Sequence, residues 1–217
     1  MNMKIILTGA TGMVGEGVLL TCLKHTAVTE VLVVGRRHYP LQHPKLKELI
    51  VPDFMQVEQF RDQLQHYDAC FFCAGVSSVG MKEDRYTQIT YTTTIHFAQT
   101  LSIINPHMVF NYVTGRHTDS TAKGRIMWAR VKGKTENALQ QLPFRAQYNF
   151  RPGFMKPVDG QKNVKAFFKP IILLFPLLFP QKSLTLQQVG LAMIHSVTRG
   201  YAKSVLEVTD IAQLAGN

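Results

Sequence analysis

The sequence has few of the features that mark a secreted or a metal-binding protein. It contains only three cysteines in 217 residues, and its eight histidines show no metal-ligand spacing. This sparse usage excludes a disulfide scaffold, so we expect a protein of a reducing compartment without a metal centre. Cys70 and Cys73 match a C-x-x-C spacing. On a strand, however, positions three apart face opposite sides, so we interpret both as core residues.

Long apolar runs are also missing. The apolar start of the chain is interrupted from Gly9 onward and is too short for a signal peptide. The most apolar stretch, residues 166–180, contains Lys169 and three prolines and falls short of the roughly 20 residues that a spanning helix needs. We therefore expect a cytoplasmic protein.

Acidic side chains are scarce in the middle of the chain. Residues 1–114 hold nine basic and nine acidic side chains, whereas residues 115–170 hold twelve basic and three acidic ones. An uneven positive charge predicts a surface that faces an anion, such as cofactor phosphates, an acidic substrate, anionic lipid or nucleic acid. No nucleic-acid-binding motif accompanies the charge, so a nucleic-acid partner is not expected.

Short β-branched segments alternate with longer amphipathic ones up to Pro152. Strands are expected at Lys4–Thr8, Glu30–Val34, Lys47–Val51, Ala69–Cys73, His107–Val113 and Gln147–Arg151. Helices are expected at Met13–His25, Gln56–Leu64, Glu83–Ile104 and Arg125–Leu142. This alternation predicts an α/β fold with a doubly wound parallel sheet, the Rossmann architecture, as one domain over residues 1–217.

The rhythm breaks after Pro152. A basic loop and the Pro-punctuated apolar run precede a predicted helix at Leu186–Thr198 and a last strand near Ser204–Val208. We expect residues 153–217 to form a short C-terminal cap on the substrate side of the sheet. For the apolar segment we expect a lid, and the alternatives are an apolar-substrate pocket or peripheral attachment to anionic lipid through residues 162–180.

A glycine-rich loop follows the first predicted strand and opens the first predicted helix. Gly9 would permit the tight turn, Gly12 the approach of backbone amides to a diphosphate, and Gly15 close packing of helix on strand. The helix N-terminus would add unpaired N–H groups and partial positive charge. A dinucleotide site is therefore predicted here. Its contacts in the loop would be Gly9, Thr11, Gly12, Met13, Val14 and Gly15.

The end of the second predicted strand lacks the acidic residue that accepts a ribose 2′-hydroxyl in NAD sites. Arg36 and Arg37 stand there instead, and a guanidinium accommodates a 2′-phosphate. NADP is therefore favoured over NAD. Asp53, after the third strand, is placed to reach the adenine ring and could equally cap the helix that follows.

Several short motifs occur in a defined order. Besides the glycine loop they are Val34–Arg37, Phe72–Gly75, Val113–Gly115, Val131–Lys134 and Phe150–Gly153. Together they resemble the atypical, extended-like short-chain dehydrogenase/reductases, and within that family the Tat-interacting, NADPH-binding oxidoreductase group. The resemblance runs from Lys4 to about Phe154. It implies an NADPH site that includes Ala74 and Gly75, and hydride transfer assisted by a Ser, Tyr, Lys constellation.

That constellation is incomplete in this sequence. Lys132 takes the lysine position and Thr114 the serine position, but Trp128 stands four residues before the lysine, where the family has tyrosine. An indole has no titratable proton of useful pKa, so the ordinary proton relay is absent. Asp119, Tyr112 and His117 could substitute for it. His117 is the best placed of these three by sequence, and its alternative role is that of an exposed loop histidine.

These observations leave three functions open. The first is an NADP-dependent oxidoreductase-like protein acting on a small carbonyl or alcohol, with Thr114 at the carbonyl oxygen and Lys132 at the ribose. The second is a catalytically weak or inactive NADPH-sensing protein with a regulatory protein partner. The third, an NAD-dependent epimerase or dehydratase, is disfavoured because such enzymes depend on the missing tyrosine. The two long helices where this family dimerises allow a monomer or a homodimer.

Overall fold

Seven parallel strands form the central sheet of the computed structural model, which describes residues 2–163 and 183–216. The strands of the sheet are β1 (Met3–Thr8), β2 (Val28–Gly35), β3 (Leu46–Ile50), β4 (Ala69–Phe72), β5 (Val109–Val113), β6 (Ala146–Phe150) and β9 (Val205–Leu206). Their order is β3-β2-β1-β4-β5-β6-β9. The chain winds outward from β1 in both directions, so the order reverses between β1 and β4. The predicted Rossmann-like α/β fold is confirmed.

Helices cover both faces of the sheet. They are α1 (Met13–Lys24), α2 (Glu83–Thr87), α3 (Thr93–Ile104), α4 (Met127–Leu139), α5 (Leu186–Thr198) and α6 (Val208–Gly216). A 3₁₀ helix, Phe54–Gln63, follows β3. One hydrophobic layer packs under α1, α5 and α6, and the other packs under α3 and the 3₁₀ helix. A sheet buried on both faces explains why its strands have nearly continuous apolar sequences.

Side chains alternate between these two layers along each strand. In β1, Ile5 and Ile6 belong to opposite layers. Cys70 lies in the α3 layer, whereas Cys73 packs against the α1 layer, so the two thiols lie on opposite sides, as predicted. Burial raises the pKa of both thiols; Cys70 is fully buried, whereas Cys73 is partly buried. Among the described residues, no group of three or more His, Cys, Asp or Glu could hold a metal ion.

The single helix expected over Glu83–Ile104 is interrupted by a π-helical turn, Gln88–Thr92, between α2 and α3. Both the backbone N–H and the hydroxyl of Thr93 donate to the Gln88 carbonyl, five residues earlier. The hydroxyl adds a second donor to this wider turn. The threonine run therefore does more than lower helix propensity, because one of its members supports the irregular geometry.

Of the residues after Pro152, those of the described range 183–216 are built into the domain more deeply than a cap would be. Strand β9 extends the main sheet by pairing in parallel with β6, with Phe150 opposite Leu206. Helix α5 packs on α1, and its residues Val189 and Met193 are fully buried in the shared layer. Two short strands, β7 (Phe154–Lys156) and β8 (Ser183–Thr185), form a separate parallel pair. The predicted helix at Leu186–Thr198 and the predicted strand near Ser204–Val208 are both present, and what the sequence did not reveal is that the strand joins the main sheet.

Within the described ranges, no helix is long and apolar enough to cross a membrane. The apolar segment 166–180, for which a lid, a pocket or lipid contact was expected, lies outside those ranges.

Candidate cofactor and active site

The glycine-rich loop is shaped by close backbone approaches at the carboxyl end of β1. Gly9 has φ +77°, and a Cβ there would lie 2.7 Å from backbone atoms of Cys73 and Ala74. A Cβ on Gly15 would lie only 2.1 Å from the Gly9 carbonyl oxygen. These contacts exclude side chains at both positions and seat the first turn of α1 directly on the loop. The backbone N–H groups of residues 13–15 have no carbonyl one turn earlier, which leaves them for a ligand, whereas that of Glu16 already donates to the Gly12 carbonyl.

The end of β4 lies beside this loop. Thr8 pairs with Phe72, and the backbone N–H of Ala74 donates a 3.1 Å hydrogen bond to the hydroxyl of Thr8. A Cβ on Gly75 would meet nothing within 4 Å, and Gly12 is exposed. The glycine loop and the start of the β4 loop therefore lie side by side at the switch point of the sheet, where doubly wound folds bind their ligands in a crevice.

Arg36 and Arg37 follow β2 at the same edge of the sheet. Both are exposed, and neither side chain has a hydrogen-bond or ion-pair partner among the described residues. Two unpaired guanidinium groups next to a crevice suit a doubly charged phosphate. Asp53 caps the 3₁₀ helix by accepting a 2.9 Å hydrogen bond from the backbone N–H of Met55. The structure therefore shows the capping role considered for Asp53, and this residue is exposed to solvent.

Lys132 reaches from α4 to the carboxyl end of β5. Its Nζ donates a 2.9 Å hydrogen bond to the carbonyl oxygen of Thr114. Burial lowers the pKa of Lys132 to about 8, although the charge of Glu136 acts in the opposite direction. Thr114 lies two residues beyond Tyr112, which pairs with Phe72 of β4. The lysine thus stands on the β5 side of the crevice that the glycine loop borders on the β1 side.

The hydroxyl of Thr114 is directed into the protein. It donates to the Glu136 carboxylate at 2.6 Å and lies 3.2 Å from the Phe150 carbonyl oxygen. Glu136 is 1% exposed and forms an ion pair with Arg151, whose Nε lies 3.0 Å from the carboxylate. Arg151 also donates to Ser120 and Glu207. These hydrogen bonds hold the end of β5 in place.

Sequence reasoning missed Glu136 and Arg151. The signals were present, since Glu136 stands one helical turn after Lys132 on the same face of α4. Arg151 lies in the Phe150–Gly153 motif and follows β6 directly. The long separation between Thr114 and Glu136 hid their contact.

Trp128 is half-buried, one helical turn before Lys132, and its indole N–H has no partner among the described residues. Of the three substitutes for the missing tyrosine, Tyr112 is fully buried, and burial raises its pKa. Asp119 accepts hydrogen bonds from Thr121 and from two further backbone N–H groups. These bonds, with the Thr121 hydroxyl foremost, lower its pKa. Both groups are therefore poor proton donors near neutral pH.

His117 is exposed in the turn that follows β5 and has φ +70°. The turn is closed by Thr118, whose backbone N–H and hydroxyl both donate to the Gly115 carbonyl. No hydrogen bond fixes the His117 ring to another described residue. Of the three residues, His117 is therefore the one that is exposed and not fixed by a hydrogen bond to another described residue.

A model of the NAD dependent epimerase/dehydratase family matches residues 5–131. Among curated proteins, the chain is similar to Protein HTATIP2 of Rattus norvegicus, with 23% identity over 156 residues. This match covers 71% of the chain and 63% of the rat protein, so the chain spans less than two thirds of that relative.

Solved structures with the same fold hold pyridine nucleotides. The chain is similar to the enzyme WbmF of Bordetella bronchiseptica in complex with NAD⁺, with 17% identity and a TM-score of 0.66 over 99% of this chain and 77% of that one. It is also similar to a short chain dehydrogenase of Burkholderia cenocepacia J2315 in complex with NADP, with 13% identity and a TM-score of 0.67 over 98% and 92% of the two chains. At these identities the likeness shows the fold.

Proposed function

Because the chain belongs to the NAD dependent epimerase/dehydratase family, we propose that it is an NADP-dependent, oxidoreductase-like protein that acts on a small carbonyl or alcohol. The observation that carries this proposal is the crevice itself. The glycine loop exposes the first N–H groups of α1 on one side, and Lys132 stands on the other side at the end of β5. Such an arrangement fits a dinucleotide lying across the switch point.

The chain's own residues would divide the cofactor between them. Backbone amides of residues 13–15 would bind the diphosphate, Arg36 and Arg37 the 2′-phosphate, and Ala74 and Gly75 would lie beside it at the end of β4. Lys132 would hold the nicotinamide ribose. Asp53 is our candidate for contact with adenine. Bound NADPH would supply the hydride, whereas the protein orients it and excludes water.

The proton is the difficult part of this chemistry. Thr114 would have to give up its hydrogen bond to Glu136 before it could donate to a substrate carbonyl oxygen, and His117 would have to turn inward to give its proton. Loss of a positioned general acid costs on the order of 10²–10⁴ in rate, so slow turnover is the expected outcome.

A second function is favoured by two observations. Trp128 replaces the tyrosine, and the Thr114 hydroxyl is engaged with Glu136. Both leave the cofactor crevice intact while they weaken the chemistry. A protein of this kind would bind the nucleotide as a signal, and a regulatory protein partner would recognise the nucleotide-bound form.

One experiment separates these functions. Trp128 is the sole tryptophan, so quenching of its fluorescence by added NADPH reports binding directly. The same protein is then incubated with NADPH and a panel of small aldehydes and ketones, with absorbance at 340 nm as the readout. The oxidoreductase proposal expects substrate-dependent NADPH oxidation that the Lys132→Ala variant loses. Binding without oxidation on any carbonyl would favour the sensing function, and absence of binding would refute both.

A further inference from the structure

A buried carboxylate stands at the centre of the cofactor end of the fold. Glu16 follows Gly15 in the first turn of α1 and is 1% exposed. Its oxygens accept hydrogen bonds from the Tyr39 hydroxyl at 3.1 Å and from the backbone N–H groups of Lys162 and Asn163 at 3.1 and 2.7 Å. A buried charge is costly unless it is fully hydrogen-bonded, so these three donors hold Glu16 in one orientation.

Tyr39 is the donor that connects Glu16 to the segment after β2. It is 8% exposed, and its backbone N–H donates a 2.6 Å hydrogen bond to Glu48 of β3. Burial raises the pKa of Tyr39, and the charge of Glu16 raises it further, so the phenol stays protonated and donates. Two carboxylates on two different elements therefore fix this one residue.

The segment between β2 and Tyr39 carries the two unpaired guanidinium groups. At its start, the carbonyl of Gly35 accepts a 2.9 Å hydrogen bond from the backbone N–H of Val51. At its end, Tyr39 is held by Glu16 and Glu48. Arg36 and Arg37 thus lie in a short loop whose two ends are held by hydrogen bonds, whereas their own side chains are exposed.

The side chain of Glu16 consequently connects the two parts of the crevice that would bind anions, the glycine loop and the loop with the arginine pair. The amides for a diphosphate lie at residues 13–15, and the next residue, Glu16, holds the end of the loop that carries the arginines. The diphosphate and the 2′-phosphate of one nucleotide are a covalently limited distance apart, so both can be bound strongly only if the protein keeps its two parts at that distance. NADH has no 2′-phosphate and does not need the second part.

We propose that Glu16 and Tyr39 are positioning residues for cofactor choice: their hydrogen bond sets the distance from the arginine pair to the glycine loop and thereby produces a preference for NADPH over NADH. The inference rests on the proposed function, because it concerns the same crevice. It adds two residues that act through the arginines without contacting the nucleotide.

The test compares two matched variants. Tyr39→Phe removes only the hydroxyl that Glu16 accepts. Tyr67→Phe removes the same group from a tyrosine that is 9% exposed. This tyrosine donates a 2.8 Å hydrogen bond to Glu30 at the amino ends of the strands, the end of the sheet away from the crevice. Dissociation constants for NADPH and NADH are measured by titration calorimetry, with thermal unfolding as a check that both variants fold. Tyr39→Phe is chosen over Glu16→Gln because it leaves the bonds to Lys162 and Asn163 in place.

The expected result is that Tyr39→Phe weakens NADPH binding about fivefold and NADH binding less than about twofold, since one hydrogen bond to a charged group is lost. Tyr67→Phe should change neither constant. In a protein that also carries Arg36→Ala and Arg37→Ala, Tyr39→Phe should no longer alter the ratio of the two constants, because the residues through which it acts are gone.

The other outcomes are distinguishable. If the wild-type protein binds neither nucleotide, the proposed function itself fails. If the wild type binds both and Tyr39→Phe keeps the full preference, or weakens both nucleotides equally, the positioning inference is overturned and nucleotide binding stands. Equal affinity of the wild type for NADPH and NADH overturns the inference as well.

Discussion

Thr114 donates its hydroxyl hydrogen to the carboxylate of Glu136 over 2.6 Å, and Arg151 holds the same carboxylate. A threonine hydroxyl has one hydrogen, so while this bond exists its oxygen can only accept from a ligand. The backbone carbonyl of Thr114 simultaneously binds Lys132. The end of β5 is therefore held by hydrogen bonds to two elements, and the Thr114 hydroxyl is not free to donate to a ligand while it is bound to Glu136.

The first prediction concerns this buried bond. Thr114→Val keeps the side-chain shape but leaves a Glu136 oxygen without one of its donors, so the free energy of unfolding should fall by about 1–3 kcal/mol. Urea unfolding measures it. As a control, Thr29→Val removes an exposed hydroxyl that donates to the Met3 carbonyl and should cost no more than about 0.5 kcal/mol. Equal losses in the two variants would contradict the prediction.

The second prediction concerns pH and Lys132. Burial lowers its pKa from 10.5 to about 8, so between these values the unfolded chain binds more protons than the folded one. The contribution of this residue to stability therefore rises as the pH increases from 8 to 10.5. Lys132→Met lacks the titrating group. The unfolding free energy of the wild type should therefore increase relative to that of the variant as the pH rises through this window. Urea unfolding at pH 7, 8, 9 and 10 measures it. A constant difference, or one that moves the other way, would refute the lowered pKa.

The third prediction concerns the glycine loop. Because a Cβ on Gly15 would lie 2.1 Å from the Gly9 carbonyl oxygen, Gly15→Ala must displace the loop or the first turn of α1. We expect NADPH affinity to fall at least about tenfold, since the amides lose their common geometry. Tryptophan fluorescence quenching measures the affinity. Gly216→Ala, where a Cβ meets nothing within 4 Å, is the control and should bind as the wild type does. Retention of wild-type affinity by Gly15→Ala would place the nucleotide elsewhere.

The fourth prediction restores the missing acid. Trp128→Tyr places a phenol one helical turn before Lys132, whose charge would lower the tyrosine pKa. Reduction of a responsive carbonyl should accelerate at least about tenfold, within the range that a positioned general acid contributes. Trp128→Phe has the same ring without the hydroxyl and serves as the control, with binding of both variants checked by calorimetry. If the tyrosine variant is no faster than the phenylalanine variant, the rest of the site does not support hydride transfer.

Much of the architecture was predictable because it follows from short-range patterns in the sequence. The apolar strands and the spacing of Gly9, Gly12 and Gly15 are short-range features, and they correctly predicted a doubly wound fold. The π-helical turn before Thr93 and the pairing of β9 with β6 were not predictable, although a strand near Ser204–Val208 was predicted. The first depends on a single side-chain hydrogen bond, and the second on an available edge of β6. Neither leaves a period in the sequence.

The sequence alone determined which chemistry is present at the site. It contains a loop with glycines at its turn points, two arginines after the second strand, and a lysine with no tyrosine one turn before it. Only the tertiary structure decided how these groups are held. The pairs Thr114 with Glu136 and Glu16 with Tyr39 are separated by 22 and 23 residues, and hydrogen bonds of that range follow from packing rather than from any repeating pattern along the chain.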